Sequence, residues 1–204
     1  MDAKIKRAIR QLKALEGHGK LLRLAAEWRA PWQSLISTIL SARTRDDKTI
    51  EVSNVLYRKY KNLRELSHAN LKDVEGIIRG VNYYRTKAKH IIVCAKMIVS
   101  QYNSKIPHDF LKLVELPGVG RKTANVFLAH QGHASIGVDT HLSYVSQYLN
   151  WSKNNKPERI EQDLQKLFPK KYWRTVNYIV VRFGQSYRSK KEKNALLERI
   201  KSIR

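Results

Sequence analysis

A chain of 204 residues, 42% of them hydrophobic, is long enough to bury a core as one domain or two small intimate ones, and no run approaches the roughly eighteen apolar residues of a membrane span. The 40 Lys plus Arg against 17 Asp plus Glu give a net charge of +23, a self-repulsion that a phosphate backbone is well suited to offset, although charge alone leaves RNA and acidic lipid open. One cysteine, Cys94, excludes an internal disulfide framework, and with a charged N-terminal pattern in place of an apolar signal it points to an intracellular protein, in cytoplasm, nucleoid or nucleus.

Helical periodicity runs through almost the whole chain. Ile5, Ala8, Ile9, Leu12 and Leu15 recur at three- and four-residue spacing and predict an amphipathic helix over 4–15. Pro31 suits the first turn of an apolar helix from Trp32 to Ala42. Asp46 or Asp47 is placed to cap a third helix through Val55 and Leu56. A short helix opens at Asn70 or Lys72 and is ended by Gly80. From about Thr86 to Tyr102 a long, largely buried helix carries Ala88, Ile91, Ile92, Ala95, Met97 and Ile98, with Cys94 as a core residue. Pro107 and Asp109 introduce a short helix through Leu113, and another runs from Gly120 to about His130. His130 and His133 flank Gly132 in what reads as a solvated loop. Further helices are predicted from Thr140 to Leu149, Pro157 to Phe168, Lys170 to Tyr187 and Lys190 to Ile203. No stretch alternates over six residues, so the expected fold class is all-α, without a sheet.

The most informative segment is Leu116-Pro117-Gly118-Val119-Gly120-Arg121-Lys122-Thr123-Ala124-Asn125. A short helix, a Pro-Gly-Val-Gly turn and a second helix describe a helix-hairpin-helix. Gly118 and Gly120 permit backbone angles that side chains forbid, and Val119 plugs the hairpin into its own core. The amides then stand at a helix N-terminus, where they can hold a phosphate oxygen and so grip the DNA backbone without reading bases. A plain turn between two helices with a glycine cap is the other explanation. Arg121, Lys122 and the net charge favour DNA contact.

Seventeen positions beyond Lys122 stands Val138-Asp139-Thr140-His141. The two motifs, in this order and at this spacing, resemble the endonuclease III branch of the helix-hairpin-helix DNA glycosylases (HhH-GPD type). The similarity extends from Leu40-Ser41-Ala42 to Phe183-Gly184. The resemblance implies a bifunctional base excision repair enzyme, a DNA glycosylase and abasic-site lyase, acting on oxidised or ring-damaged pyrimidines in double-stranded DNA. A mismatch uracil or thymine glycosylase, an oxidised-guanine enzyme and a non-catalytic DNA-binding helix-hairpin-helix protein are the alternatives.

It also implies roles. Lys122 is the nucleophile at C1′ of the sugar and Asp139 the carboxylate that stabilises the positive charge developing there. An attacking lysine must be a neutral amine, which a helix start, the neighbouring Arg121 and desolvation by bound DNA all favour. Asp139 opens a helix, whose positive end suits a carboxylate. Attack gives an imine, the imine acidifies C2′, and β-elimination of the 3′ phosphate cuts the strand. No metal is needed for this route.

An enzyme that works on a base must take it out of the stack and fill the hole. The resemblance assigns that to two loops. In Leu40-Ser41-Ala42-Arg43-Thr44-Arg45-Asp46, Arg43 stands where many relatives have glutamine; it fills the hole or contacts phosphate, with Thr44 beside it. In Gly80-Val81-Asn82-Tyr83-Tyr84-Arg85-Thr86-Lys87-Ala88, alignment on Lys87-Ala88 puts Asn82 at a glycine of positive φ and Tyr83 at the apolar wedge. His141 either contacts DNA or supports its helix.

Many relatives end in four cysteines that hold an iron–sulfur cluster. After Phe183-Gly184 this chain has Gln185-Ser186-Tyr187 and no cysteine, so no cluster and no other cofactor is expected. Leu196, Leu197, Ile200 and Ile203 instead form one apolar stripe on a basic terminal helix, which either helps hold DNA or is purely structural. The expected organisation is two interleaved helical subdomains: 28–135, ending in the hairpin, and 1–27 with 136–204. DNA lies along the cleft between them with Lys122 and Asp139 at its mouth. A monomer with no membrane association is expected.

Overall fold

Twelve helices and no strand make up the described residues, 2–187 and 189–203, of this computed structural model. In chain order they are α1 (Ala3–His18), α2 (Pro31–Ser41), α3 (Asp46–Lys59), α4 (Leu63–Ser67), α5 (Leu71–Ile77), α6 (Tyr84–Gln101), α7 (Phe110–Val114), α8 (Arg121–His130), α9 (Thr140–Tyr148), α10 (Pro157–Leu167), α11 (Lys170–Ser186) and α12 (Lys190–Lys201). The all-α class expected from the periodicity is the one observed. No helix among the described residues is long and apolar enough to cross a membrane.

Local chemistry explains most helix starts. Pro31 and Pro157 open α2 and α10, where the missing N–H is no loss. Asn70 and Asp109 cap α5 and α7 through their side-chain oxygens. At α3 the expectation is corrected: Arg45 holds the cap position without a side-chain bond, and Asp46 and Asp47 lie inside the first turn, beside the positive helix end. α5 stops at Ile77, not at Gly80, because a turn closed by Val81 N–H on Ile78 O at 3.0 Å follows it. α4 was not expected. At five residues it is too short for a periodic pattern, and it rests on a side-chain cap: Asn62 Oδ1 accepts the Glu65 N–H at 2.9 Å, while the Glu65 carboxylate reaches back to accept the Lys61 N–H, one residue before the cap, at 2.7 Å.

The chain divides into two compact units, one of Met1–Leu22 with Gly132–Arg204 and one of Arg23–Gln131, so the divisions fall at Arg23 and Gln131 where 28 and 135 had been expected. The core of the 23–131 unit is built from Leu35, Ile36 and Leu40 of α2, Leu56 of α3, Ile91, Ala95 and Ile98 of α6 and Phe127 of α8. Cys94 is fully buried there, and burial pushes its thiol up to about 12. The other unit packs Leu12 and Leu15 of α1, Leu142 and Val145 of α9, Ile160 and Leu164 of α10, and Val176, Val180 and Phe183 of α11. α12 joins this core through Leu197 and Ile200, with Leu196 and Ile203 partly buried against it. A buried polar chain pins the same corner: Trp151 Nε1 donates to Gln11 Oε1 at 2.8 Å, and Gln11 Nε2 donates to Ile200 O at 3.4 Å.

Candidate active site and nucleic-acid interface

In the 23–131 unit, α7 and α8 flank the turn Leu116–Gly120, and Val119 is buried in the unit's core with its N–H on Leu116 O at 3.0 Å. Gly118 has φ +82°, and a Cβ there would stand 3.0 Å from Ile39 Cγ2 and 3.1 Å from His90 Cβ. Both the backbone angle and the close approach of α2 and α6 therefore call for glycine. Gly120 differs. Its φ of −87° is open to any residue, and nothing lies within 4 Å of where its Cβ would stand. The expectation that both glycines serve a forbidden backbone angle is thus corrected for Gly120. What its missing side chain leaves is clear space at the start of α8, which no side chain caps.

Arg121 and Lys122 occupy the first turn of α8. Arg121 is exposed, with its guanidinium carbon 5.2 Å from the centre of the Phe110 ring. Lys122 is half-buried, and its Nζ makes no hydrogen bond or ion pair among the described residues. The following Thr123, Ala124 and Asn125 are buried, so Lys122 stands on a fixed turn.

The loop after α2 and the turn before α6 are tied together. Asn82 donates its side-chain amide to Arg43 O and its backbone N–H to Thr44 Oγ1 at 3.1 Å. Arg43 Nη1 reaches Tyr83 OH at 3.0 Å. Positive φ falls on Arg43 (55°) and Tyr83 (58°) and not on Asn82, which corrects the expected position. Asn82 spends its side chain on the neighbouring loop, and the left-handed residue moves one place on, to the N-cap of α6. Each such non-glycine residue costs about 1–2 kcal/mol. Tyr83 is 62% exposed, and Arg43 is exposed beside it.

A residue missed by the sequence reading of this region is Lys87. It is buried at 6% exposure, and its Nζ donates to Leu40 O at 2.6 Å, Ala42 O at 2.7 Å and Thr44 Oγ1 at 3.2 Å. The ammonium thus satisfies carbonyls at the C-terminal end of α2, where a cation suits the helix dipole. Burial pulls it from 10.5 down to about 8.

In the other unit, Asp139 is the N-cap of α9, half-buried, and its Oδ1 accepts the Leu142 N–H at 2.8 Å. Oδ2 has no hydrogen-bond partner among the described residues. The segment leading to it is fixed by burial of Ile136 and Val138 and by Asn177 of α11, whose buried amide donates to Gly137 O. Asn177 was not singled out from sequence, because it lies 40 positions away on a helix whose periodicity marks only its apolar face. His141, half-buried in the first turn of α9, lies against Gly184: a Cβ there would stand 2.3 Å from its Nδ1. That contact supplies the reason for a glycine after Phe183.

An iron–sulfur cluster does not fit the residues present. Cluster ligation takes several thiolates, and the sequence holds only the buried Cys94. Among the described residues no group of three or more His, Cys, Asp or Glu could hold a metal ion.

Residues 36–170 match the family described as HhH-GPD superfamily base excision DNA repair protein. The chain is 38% identical over 169 residues to endonuclease III of Thermotoga maritima, covering 82% of this chain and 78% of that protein. It is 35% identical over 162 residues to endonuclease III of Synechocystis, covering 78% and 74%. Among solved structures it superposes on a non-covalent endonuclease III–DNA complex with a TM-score of 0.84 at 30% identity, over 94% of this chain and 90% of that one. A trapped endonuclease III–DNA covalent intermediate gives 0.83 at 30% identity, over 93% and 89%. A thermostable thymine-DNA glycosylase, at 17% identity and a TM-score of 0.80, shares the fold. The chain belongs to the HhH-GPD superfamily of base excision DNA repair proteins. Within it, the chain is similar to the endonuclease III proteins.

Proposed function

We infer that this chain is a bifunctional DNA N-glycosylase and abasic-site lyase of base excision repair, and we propose oxidised or ring-damaged pyrimidines in duplex DNA as its substrates. The observation that carries the chemistry is an amine in the first turn of α8 whose Nζ is engaged by nothing among the described residues, directly after the hairpin turn. The chain also resembles a protein caught as a covalent intermediate on DNA, which supports a covalent route.

In the proposed reaction the hairpin amides around Gly120 take a backbone phosphate, while Arg43 and Tyr83 enter the duplex as the damaged nucleotide leaves it. Asn82, Arg121 and His141 contact or order the strand, and Thr44 holds the loop that carries Arg43. Lys122 Nζ attacks C1′ as a free amine and the damaged base departs with a proton. Asp139, through the oxygen not used by its cap, stabilises the oxocarbenium character of the sugar. The ring opens to an imine on Lys122, C2′ gives up a proton, and the bond to the 3′ phosphate breaks. The enzyme is proposed to work without an iron–sulfur cluster, its C-terminal region held instead by the buried stripe of α12.

Duplexes each bearing one lesion, a damaged pyrimidine, a mismatched uracil or thymine, or an oxidised guanine, test the reading. Base release and strand incision are scored separately. The proposal expects both on the damaged pyrimidine, with Asp139→Asn keeping DNA affinity and losing most turnover, by about 10² or more. Release of only mismatched or purine bases would overturn the substrate assignment.

A further inference from the structure

We propose that Lys87 is a positioning residue for lesion recognition: it locks the loop after α2 to the turn before α6, so that Arg43 and Tyr83 meet DNA as one preorganised unit. The inference rests on the reading that these two side chains enter the duplex.

Geometry carries it. Lys87 lies in the first turn of α6, just after Tyr83, yet all its side-chain bonds go to the end of α2 and the loop that follows it, at Leu40 O, Ala42 O and Thr44 Oγ1. Thr44 Oγ1 is the shared node, since it also accepts the Asn82 N–H. Asn82 in turn holds Arg43 O, and Arg43 reaches back to Tyr83 OH at 3.0 Å. The result is a closed ring of contacts, from α6 to the α2 loop and back, with left-handed Arg43 and Tyr83 exposed on its outer side. Left-handed non-glycine residues persist only where their surroundings over-determine them. Here the surroundings are a buried ammonium and the carbonyls of a helix end. Filling a vacated base site with two side chains from separate loops demands that their spacing be fixed beforehand, and the Lys87 ring fixes it.

The test is a duplex with 2-aminopurine beside an abasic-site analogue, whose fluorescence rises when the neighbouring stack is opened, measured with single-turnover excision and with affinity for undamaged DNA. Lys87→Met should lose most of the fluorescence change and slow excision by about tenfold, while affinity for undamaged duplex stays within about twofold. Lys87→Arg, which keeps a donor cation, should recover at least half of the signal. Where Lys87→Met fails to fold, Thr44→Val, which removes the shared node, makes the same comparison. A loss of affinity for undamaged duplex as large as the loss in excision, or a full signal from folded Lys87→Met or Thr44→Val, would overturn the proposal. Arg43→Ala and Tyr83→Ala are measured alongside. If neither lowers the signal, the duplex-entry reading fails and takes this proposal with it. If they lower it and the Lys87 and Thr44 variants do not, the positioning role alone fails.

Discussion

Gly118 and Gly120 sit two residues apart and answer to different physics. Gly118 is fixed by a positive φ and by contact with Ile39 and His90, so Gly118→Ala should cost about 1–2 kcal/mol or more of stability in urea unfolding. Gly120→Ala meets open space and should cost less than about 1 kcal/mol, yet weaken DNA binding by crowding the start of α8. Comparable losses of stability in the two variants would contradict the distinction. Lys87 supplies a second prediction. Its folded ammonium releases its proton at about 8, while the unfolded chain holds it to 10.5. Below 8 the folded state therefore carries a burial penalty at this residue that fades as pH rises toward the unfolded value. The stability of wild type relative to Lys87→Met should rise between those pH values, and a flat difference would contradict it. Local motifs such as Leu116–Asn125 and Val138–His141 were legible in sequence because the hairpin and the cap of α9 are set by neighbours in the chain. Lys87 and Asn177 were not, because their partners lie some 40 positions away and only the folded chain brings them together.

Helices show the same division. Those of eleven residues or more are periodic enough to read directly, and Pro31, Asn70 and Asp109 mark starts that the structure keeps. α4 escaped because five residues cannot show a period, although Asn62-Leu63-Arg64-Glu65 carries the capping signal. Asn62→Ala should cost about 1 kcal/mol, read by thermal or urea unfolding. α12 matters more: Leu197 is fully buried, and Leu197→Ala should cost about 2–5 kcal/mol. That result would make α12 an integral part of its unit's core, as Tyr148 OH on Glu198 at 2.7 Å and the bond from Gln11 to Ile200 also imply. A loss below about 0.5 kcal/mol would place α12 outside that core.

At the scale of the whole molecule, a charge of +23 makes DNA affinity a function of salt. For a protein neutralising about six to ten phosphates, affinity for undamaged duplex should fall roughly 10³-fold or more between about 50 and 200 mM salt. Lys122→Ala should leave that slope nearly unchanged, since the proposed role of Lys122 is covalent. Purified protein should contain no stoichiometric iron or sulfide; finding both would overturn the cluster-free reading.

Borohydride reduction on a duplex carrying one abasic site tests the central assignment most directly, because it freezes the imine as a stable bond. Wild type should become covalently joined to DNA, peptide mapping should place the adduct on Lys122, and Lys122→Ala should give none while still binding the duplex. An adduct on another residue, or undiminished trapping by Lys122→Ala, would contradict the account.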